Sequence, residues 1–176
     1  ALFPEVEIGV HAHDDIGCGV ATSSAAVEGG ATQVQGTLLG FGERCGNANL
    51  SSIIPILETK MGIECLNGES LDQLTRVSRK VAEISNVRIS GRMPFIGRSA
   101  FAHKGGMHID GVQKNPLSFE HIDPIVVGNE RRLLMSEVAG RALMLKRIAR
   151  VAPDLDKDDL VTISLMDELK RLEAEG

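Results

Sequence analysis

The sequence predicts a parallel α/β unit followed by a mainly helical, loop-rich region. Three observations carry this: a strand–helix–strand pattern over residues 6–39, helical periodicity alone after residue 66, and dense glycine and proline punctuation over residues 90–129.

The first strand ends in His11-Ala12-His13-Asp14-Asp15. Alternate side chains of a strand share a face, so His11 and His13 point one way and Val6, Ile8 and Val10 the other. One face is expected to bind and the other to pack. Two imidazoles one residue apart can take one cation from the same side, with Asp14 and Asp15 as oxygen donors or as partners for the rings. A His-x-His pair is also an ordinary polar strand end, so its neighbours must decide. Small residues over 17–31 (Val20, Ala21, Ser24, Ala25, Val27) suit a helix packed tightly on a sheet and stopped by Gly29-Gly30. Residues 33–39 alternate again, with Val34 and Leu38 on one face and Gln35 and Thr37 on the other; this polar face should continue the face of the histidines.

A glycine-rich turn follows, holding Gly40, Gly42, Glu43, Arg44, Cys45, Gly46 and Asn47. Most such turns only reverse the chain. Glycines also let backbone approach a ligand closely, and here Asn47 could present its carbonyl oxygen to the same cation while Glu43 holds or accepts a proton nearby. Leu50, Ile53, Ile54, Leu57 and Met61 then fall at helical spacing as a packing stripe that Pro55 should kink or open. Ser70-Leu71-Asp72-Gln73 has capping-box form and opens a helix to Asn86 with Leu71, Leu74, Val77, Val81 and Ile84 as its apolar face. Residues 90–129 predict loops with short elements, and loops of that length usually carry function. Helices return over 140–151 and 160–172, the latter lined by Val161, Leu165, Leu169 and Leu172 and with Asp159 as a cap.

Composition narrows the class. The net charge of −5 is spread, with lysines and arginines scattered among carboxylates and no Trp or Tyr, which argues against a nucleic-acid surface built on stacking. No apolar run approaches the roughly 20 residues of a membrane span, no signal-peptide pattern opens the chain, and a cytoplasmic location is expected. Cys18, Cys45 and Cys65 form no CxxC pair, so reduced thiols are expected and zinc–thiolate chemistry is not.

The ordered combination of His11-Ala12-His13-Asp14-Asp15, the Gly36-Thr37 strand end and Gly42-Glu43-Arg44-Cys45-Gly46-Asn47-Ala48-Asn49-Leu50 resembles the C-terminal part of the barrel in the isopropylmalate, homocitrate and citramalate synthases. These are acyl-coenzyme A condensing enzymes. A further block from Ser99 through His103, Gly105, Gly106, His108 and Asp110 to Gly111 is similar to a segment these synthases carry just beyond the barrel and related lyases generally lack, which argues against a lyase. Phe119-Glu120-His121-Ile122 and Val127-Gly128-Asn129-Glu130-Arg131-Arg132 are most like the citramalate synthase branch.

The resemblance implies an α/β fold comprising the last two strand–helix units of a TIM-type (β/α)8 barrel in residues 1–66, followed by helical linker subdomains in 67–176. It implies condensation of acetyl-CoA with a 2-oxo acid, pyruvate foremost, with 2-isopropylmalate or homocitrate synthase as alternatives. A base removes a methyl proton of acetyl-CoA, the enolate attacks the 2-oxo carbon, and hydrolysis of the thioester drives release. A divalent cation (Mg, Mn or Zn) would lie among His11, His13 and Asn47, with Glu43 and Arg44 lining the site and Thr37 and Arg44 meeting substrate. His108 would serve as acid–base or oxyanion group in the neighbouring subunit of a homodimer, with Asp110 as its near partner; His103 and His121 are expected to be structural. Relatives often carry a tyrosine shortly after the His-x-Asp-Gly segment, where this chain has Ser118 and Phe119. The family's remaining metal ligand, an Asp in an Arg-Asp-Gly motif, is not in this sequence, and only two of eight strand–helix units are readable, so a piece of a longer protein is expected. A reading from another class is a non-catalytic module whose helices after Leu71 serve subunit contact or effector response.

Overall fold

The computed structural model describes residues 5–66, 70–134, 156 and 158–175. By internal packing the chain forms two units, one of Ala1–Phe101 with Pro124–Glu130 and one of Ala102–Asp123 with Arg131–Gly176.

In the first unit β1 (Gly9–His11) and β2 (Gln33–Gln35) pair in parallel, with Val10 opposite Val34 and His11 opposite Gln35. The crossover is α1 (Gly19–Glu28), so the expected strand–helix–strand unit is present. Asp14 Oδ1 accepts from the Gly19 N–H at 2.7 Å, which fixes the entry to α1. Gly30 ends it with φ 103°, a left-handed conformation that suits glycine, while the Ala31 N–H reaches back to the Ala26 carbonyl.

The second strand is shorter than the alternation predicts. Beyond Gln35 the chain leaves the sheet: the Thr37 N–H donates to the Ala48 carbonyl, the Leu50 N–H donates to the Thr37 carbonyl, and Leu38–Gly40 forms a 3-10 turn with Leu39 at φ 64°. A Cβ at Gly36 would lie 2.4 Å from the Ala48 carbonyl oxygen, so this approach of two backbone segments needs glycine there.

Asn49 caps α2 (Leu50–Lys60), its Oδ1 accepting from the Ser51 N–H at 2.9 Å. Pro55 sits buried inside this helix rather than at its opening. The core gathers Ala48, Ile53 and Leu57 with Ala12, Val20, Val27, Val34, Leu50 and Met61 around them. Ala12 therefore carries the packing face of the first strand, whereas Val6 and Ile8, expected to pack, are 59% and 56% exposed.

The helix α3 (Leu74–Ile84) departs from its predicted face. Ser70 makes no capping bond, a 3-10 turn over Leu71–Gln73 precedes the helix, and the buried side is Leu74, Thr75, Ser78 and Ala82, while Val77 and Ile84 stand exposed. Small hydroxyl residues let α3 approach α2 closely: the Ser78 and Ser51 hydroxyls are 3.3 Å apart, and the Thr75 hydroxyl donates to the Val127 carbonyl at 2.6 Å. Thus α3 packs within the first unit.

In the second unit β3 (Ala102–His103) pairs in parallel with β4 (Arg132–Leu133). Between them lie α4 (Gly106–Lys114) and a 3-10 turn, Pro116–Ser118. Ile109 of α4 packs against Leu133. The last element is α5 (Leu160–Glu175), on which Val161 and Leu172 are about half exposed, so the predicted apolar face is not a buried one there. The helix expected over 140–151 and the side chain of Leu169 lie outside the described residues. No described helix is long and apolar enough to cross a membrane.

Candidate active site

The first cluster forms at the open end of β1. His11 and His13 lie exposed on the same face, with ring centroids 5.3 Å apart and planes at 71°. His13 forms an antiparallel bridge with Asn47, which places the glycine turn beside the pair; directly opposed residues have Cβ atoms about 4.5–5.5 Å apart. The turn owes its shape to its glycines. A Cβ at Gly46, where φ is 94°, would meet the Gly40 carbonyl oxygen at 1.9 Å, and one at Gly42 would come within 2.8 Å of the Asn47 amide.

Asn47 Oδ1 is buried and accepts no hydrogen bond among the described residues. An orphaned buried oxygen is costly, and such an atom at a functional site calls for a ligand. The backbone bridge sets Asn47 at the same strand end as the two histidines, and two imidazoles with an amide oxygen are residue types that suit a divalent cation of the Mg, Mn or Zn type. Among the described residues no three His, Cys, Asp or Glu side chains converge, so the two imidazoles and the amide form an incomplete set.

The carboxylates beside the histidines are committed elsewhere. Asp14 holds the head of α1. Asp15 receives Arg44 in a two-pronged pair, Nε to Oδ1 at 2.9 Å and Nη2 to Oδ2 at 3.0 Å, and the Arg44 hydrogen bond holds the Asp15 carboxyl below its usual range. That pair spans 29 residues and had no local signal. It ties the histidine strand to the glycine turn, where Arg44 adopts φ 57°. Glu43 points into solvent, 88% exposed, and its nearest charge is Arg44 at 3.9 Å. The Thr37 hydroxyl donates to the Phe41 carbonyl and closes the turn from the other side.

The second cluster belongs to the other unit. His108 and Asp110 are on α4, a helix rather than the expected loop, and both are exposed. Residues two apart on a helix face different ways. Asp110 accordingly bonds Lys114 Nζ at 2.7 Å and does not pair with His108, whose ring stacks on Phe119 at 4.3 Å between centroids and 27° between planes.

Residues 1–81 match the family model described as HMGL-like, and residues 95–176 match the one described as homocitrate synthase post-HMGL domain-like. An (R)-citramalate synthase of Synechocystis sp. is 48% identical over 170 residues, covering 97% of this chain and 31% of that protein. The (R)-citramalate synthase of Geobacter sulfurreducens is 44% identical over 96% of this chain and 32% of its own length. A 2-isopropylmalate synthase of Lysinibacillus sphaericus is 38% identical over 89% of this chain and 31% of its own length. The chain thus joins an HMGL-like segment to a homocitrate synthase post-HMGL-like segment, and it is similar to citramalate, 2-isopropylmalate and homocitrate synthases. It spans about a third of the length of these curated relatives. Its HMGL-like part places it among TIM-barrel proteins, and the second match covers the block over residues 99–111 that separated synthase from lyase in the sequence.

Within the second unit Glu120, Arg131 and His103 meet in a buried ion cluster. The Glu120 side chain is 1% exposed and accepts from Arg131 Nε at 2.7 Å and Nη2 at 2.5 Å, with His103 Nε2 3.0 Å from Oε1. Burial pushes the Glu120 carboxyl up, but the Arg131 and His103 hydrogen bonds outweigh it and its pKa is lowered. His103 is thus committed to Glu120 inside the fold. Glu120→Ala strands both partners and should cost roughly 3–4 kcal/mol, the lower part of the range for a broken buried pair, because Arg131 keeps some solvent. The pH dependence has a definite sign. A carboxyl whose folded pKa is depressed stabilises above its unfolded pKa of about 4.3, and loses that contribution as pH falls through the lower folded value. Acid denaturation of the full-length protein and of Glu120→Gln measures this. The variant should start less stable near neutral pH and show a shallower loss below pH about 4; parallel acid limbs would refute the assignment.

Proposed function

We propose that residues 1–66 are the last two strand–helix units of a (β/α)8 catalytic barrel and 67–176 its helical linker subdomains, in an acyltransferase of branched-chain amino-acid biosynthesis that condenses acetyl-CoA and pyruvate to citramalate. The observation that carries the substrate choice is the 44–48% identity to citramalate synthases over nearly the whole chain, against 38% to the 2-isopropylmalate synthase. The parallel β1–α1–β2 unit supports the barrel placement.

In this reading His11, His13 and Asn47 Oδ1 hold a divalent cation, completed by a ligand from elsewhere in the protein. Such a cation supplies Lewis-acid polarisation of the 2-oxo acid carbonyl. The Asp15–Arg44 pair keeps the strand and turn in register, and Arg44 and Thr37 are assigned to the carboxylate of the 2-oxo acid, for which Thr37 would have to turn its hydroxyl away from the Phe41 carbonyl. Glu43, exposed and 3.9 Å from Arg44, holds or passes a proton beside them. His108 acts at the acetyl-CoA end as acid–base or oxyanion group, reaching the neighbouring subunit's site in a cytoplasmic homodimer. Acetyl-CoA, pyruvate and water then give citramalate and CoA.

Thiol release by the full-length protein with pyruvate, 2-oxoisovalerate and 2-oxoglutarate is expected to favour pyruvate by at least about a hundredfold in kcat/KM, as a pocket that rejects larger side chains allows; preference for either larger acid replaces citramalate with the corresponding product. In the same assay, mixing inactive His11→Ala and His108→Ala subunits should restore part of the activity through mixed dimers. Mixed dimers that form and stay inactive would exclude the crossing site.

A further inference from the structure

Phe119 and Glu120 are chain neighbours that face opposite ways. Glu120 is clamped inside by His103 and Arg131, and its N–H donates to the Pro116 carbonyl at 3.0 Å. Phe119, 45% exposed, lies across α4 with its ring on the imidazole of His108. Gly111 is the floor under that ring: a Cβ there would stand 2.4 Å from Phe119 Cε2 and 3.0 Å from Cδ2. Every part of this stack is therefore tied down except the imidazole itself.

From this geometry we propose that Phe119 is the positioning residue for His108, seated on Gly111 and anchored by the buried Glu120, and that it fixes the imidazole plane by stacking rather than by a hydrogen bond. The inference rests on the reading of His108 as a reacting group. An exposed histidine on a helix otherwise samples several rotamers, and proton transfer requires one of them. An offset aromatic contact holds the ring plane while leaving both ring nitrogens open to substrate. In this site a phenyl ring suffices for orientation, with no phenol.

The test uses the full-length protein and reads kcat and KM separately. Phe119→Leu should lower kcat on the order of tenfold with KM for the 2-oxo acid nearly unchanged, and Phe119→Tyr, which keeps the ring, should retain activity. In a His108→Ala background Phe119→Leu should change the residual rate by less than about twofold, because the ring would have nothing left to orient. An equal loss in both backgrounds, or none in the native one, overturns the inference while leaving His108 in its role. Unimpaired His108→Ala enzyme overturns the role of His108 itself, and the inference with it. Should Phe119→Leu fail to fold, Gly111→Ala keeps the phenyl but displaces it; it should show the same fall in kcat, and unchanged kcat overturns the proposal.

Discussion

Full-length protein carrying His11→Ala and His13→Ala together is expected to lose condensation by about a thousandfold or more, since Lewis-acid polarisation is worth several kcal/mol, and to lose divalent-cation binding in the same variant. Both imidazoles are exposed and neither makes a hydrogen bond among the described residues, so their removal leaves the core of Ala48, Ile53 and Leu57 intact. The fold around them is held by other groups: Asp14 on the head of α1, Asp15 on Arg44, and the His13–Asn47 bridge, which is a backbone contact. A loss of activity would then report chemistry and not unfolding. Calorimetric titration with Mn²⁺, beside the thiol-release assay, measures both effects. Normal cation-dependent turnover in the double variant would remove His11 and His13 as ligands.

Where local period determined structure, the sequence was readable. The alternation at His11 and His13, the small residues of α1 and the Gly29-Gly30 stop all lie within a few residues of what they control, and β1, α1 and the shared histidine face came out as expected. What a distant contact decides did not. The buried side of α3 is chosen by Ser51 and Val127, which accept small hydroxyl residues at close range, so Val77 and Ile84 lost the place that hydrophobicity assigned them. The end of β2 is set by Ala48 and Leu50 meeting Thr37. At the candidate site the same division holds. The residue types of the cluster were legible, whereas the Asp15–Arg44 pair, the unpartnered Asn47 oxygen and the Phe119 stack depend on loops meeting in space. Glycine and proline around α4 disguised a helix as a loop, and the helix then sent Asp110 to Lys114, away from His108.

Purified alone, the 176-residue chain is expected to show no synthase activity and to self-associate. Two imidazoles and one amide are three donors at most, and no third His, Cys, Asp or Glu joins them among the described residues, so a cation would be weakly held. Catalysis also needs reactants fixed in attack geometry, an effect worth many orders of magnitude in rate, and among the described residues the histidine strand belongs to a sheet of only two strands, where a closed barrel has eight. The association follows from the surface. Parallel strands are normally covered on both faces, yet Val6 and Ile8 stand more than half exposed beside β1. Beside β2 an apolar groove of about 770 Å³ is lined by Val27, Val34, Ile54, Leu57 and Ile63. Open strand edges next to such surface pair with other copies. Light scattering and a CoA-release assay on the same preparation decide the matter: a monodisperse monomer would overturn the association, and CoA release dependent on a 2-oxo acid would overturn the expected inactivity.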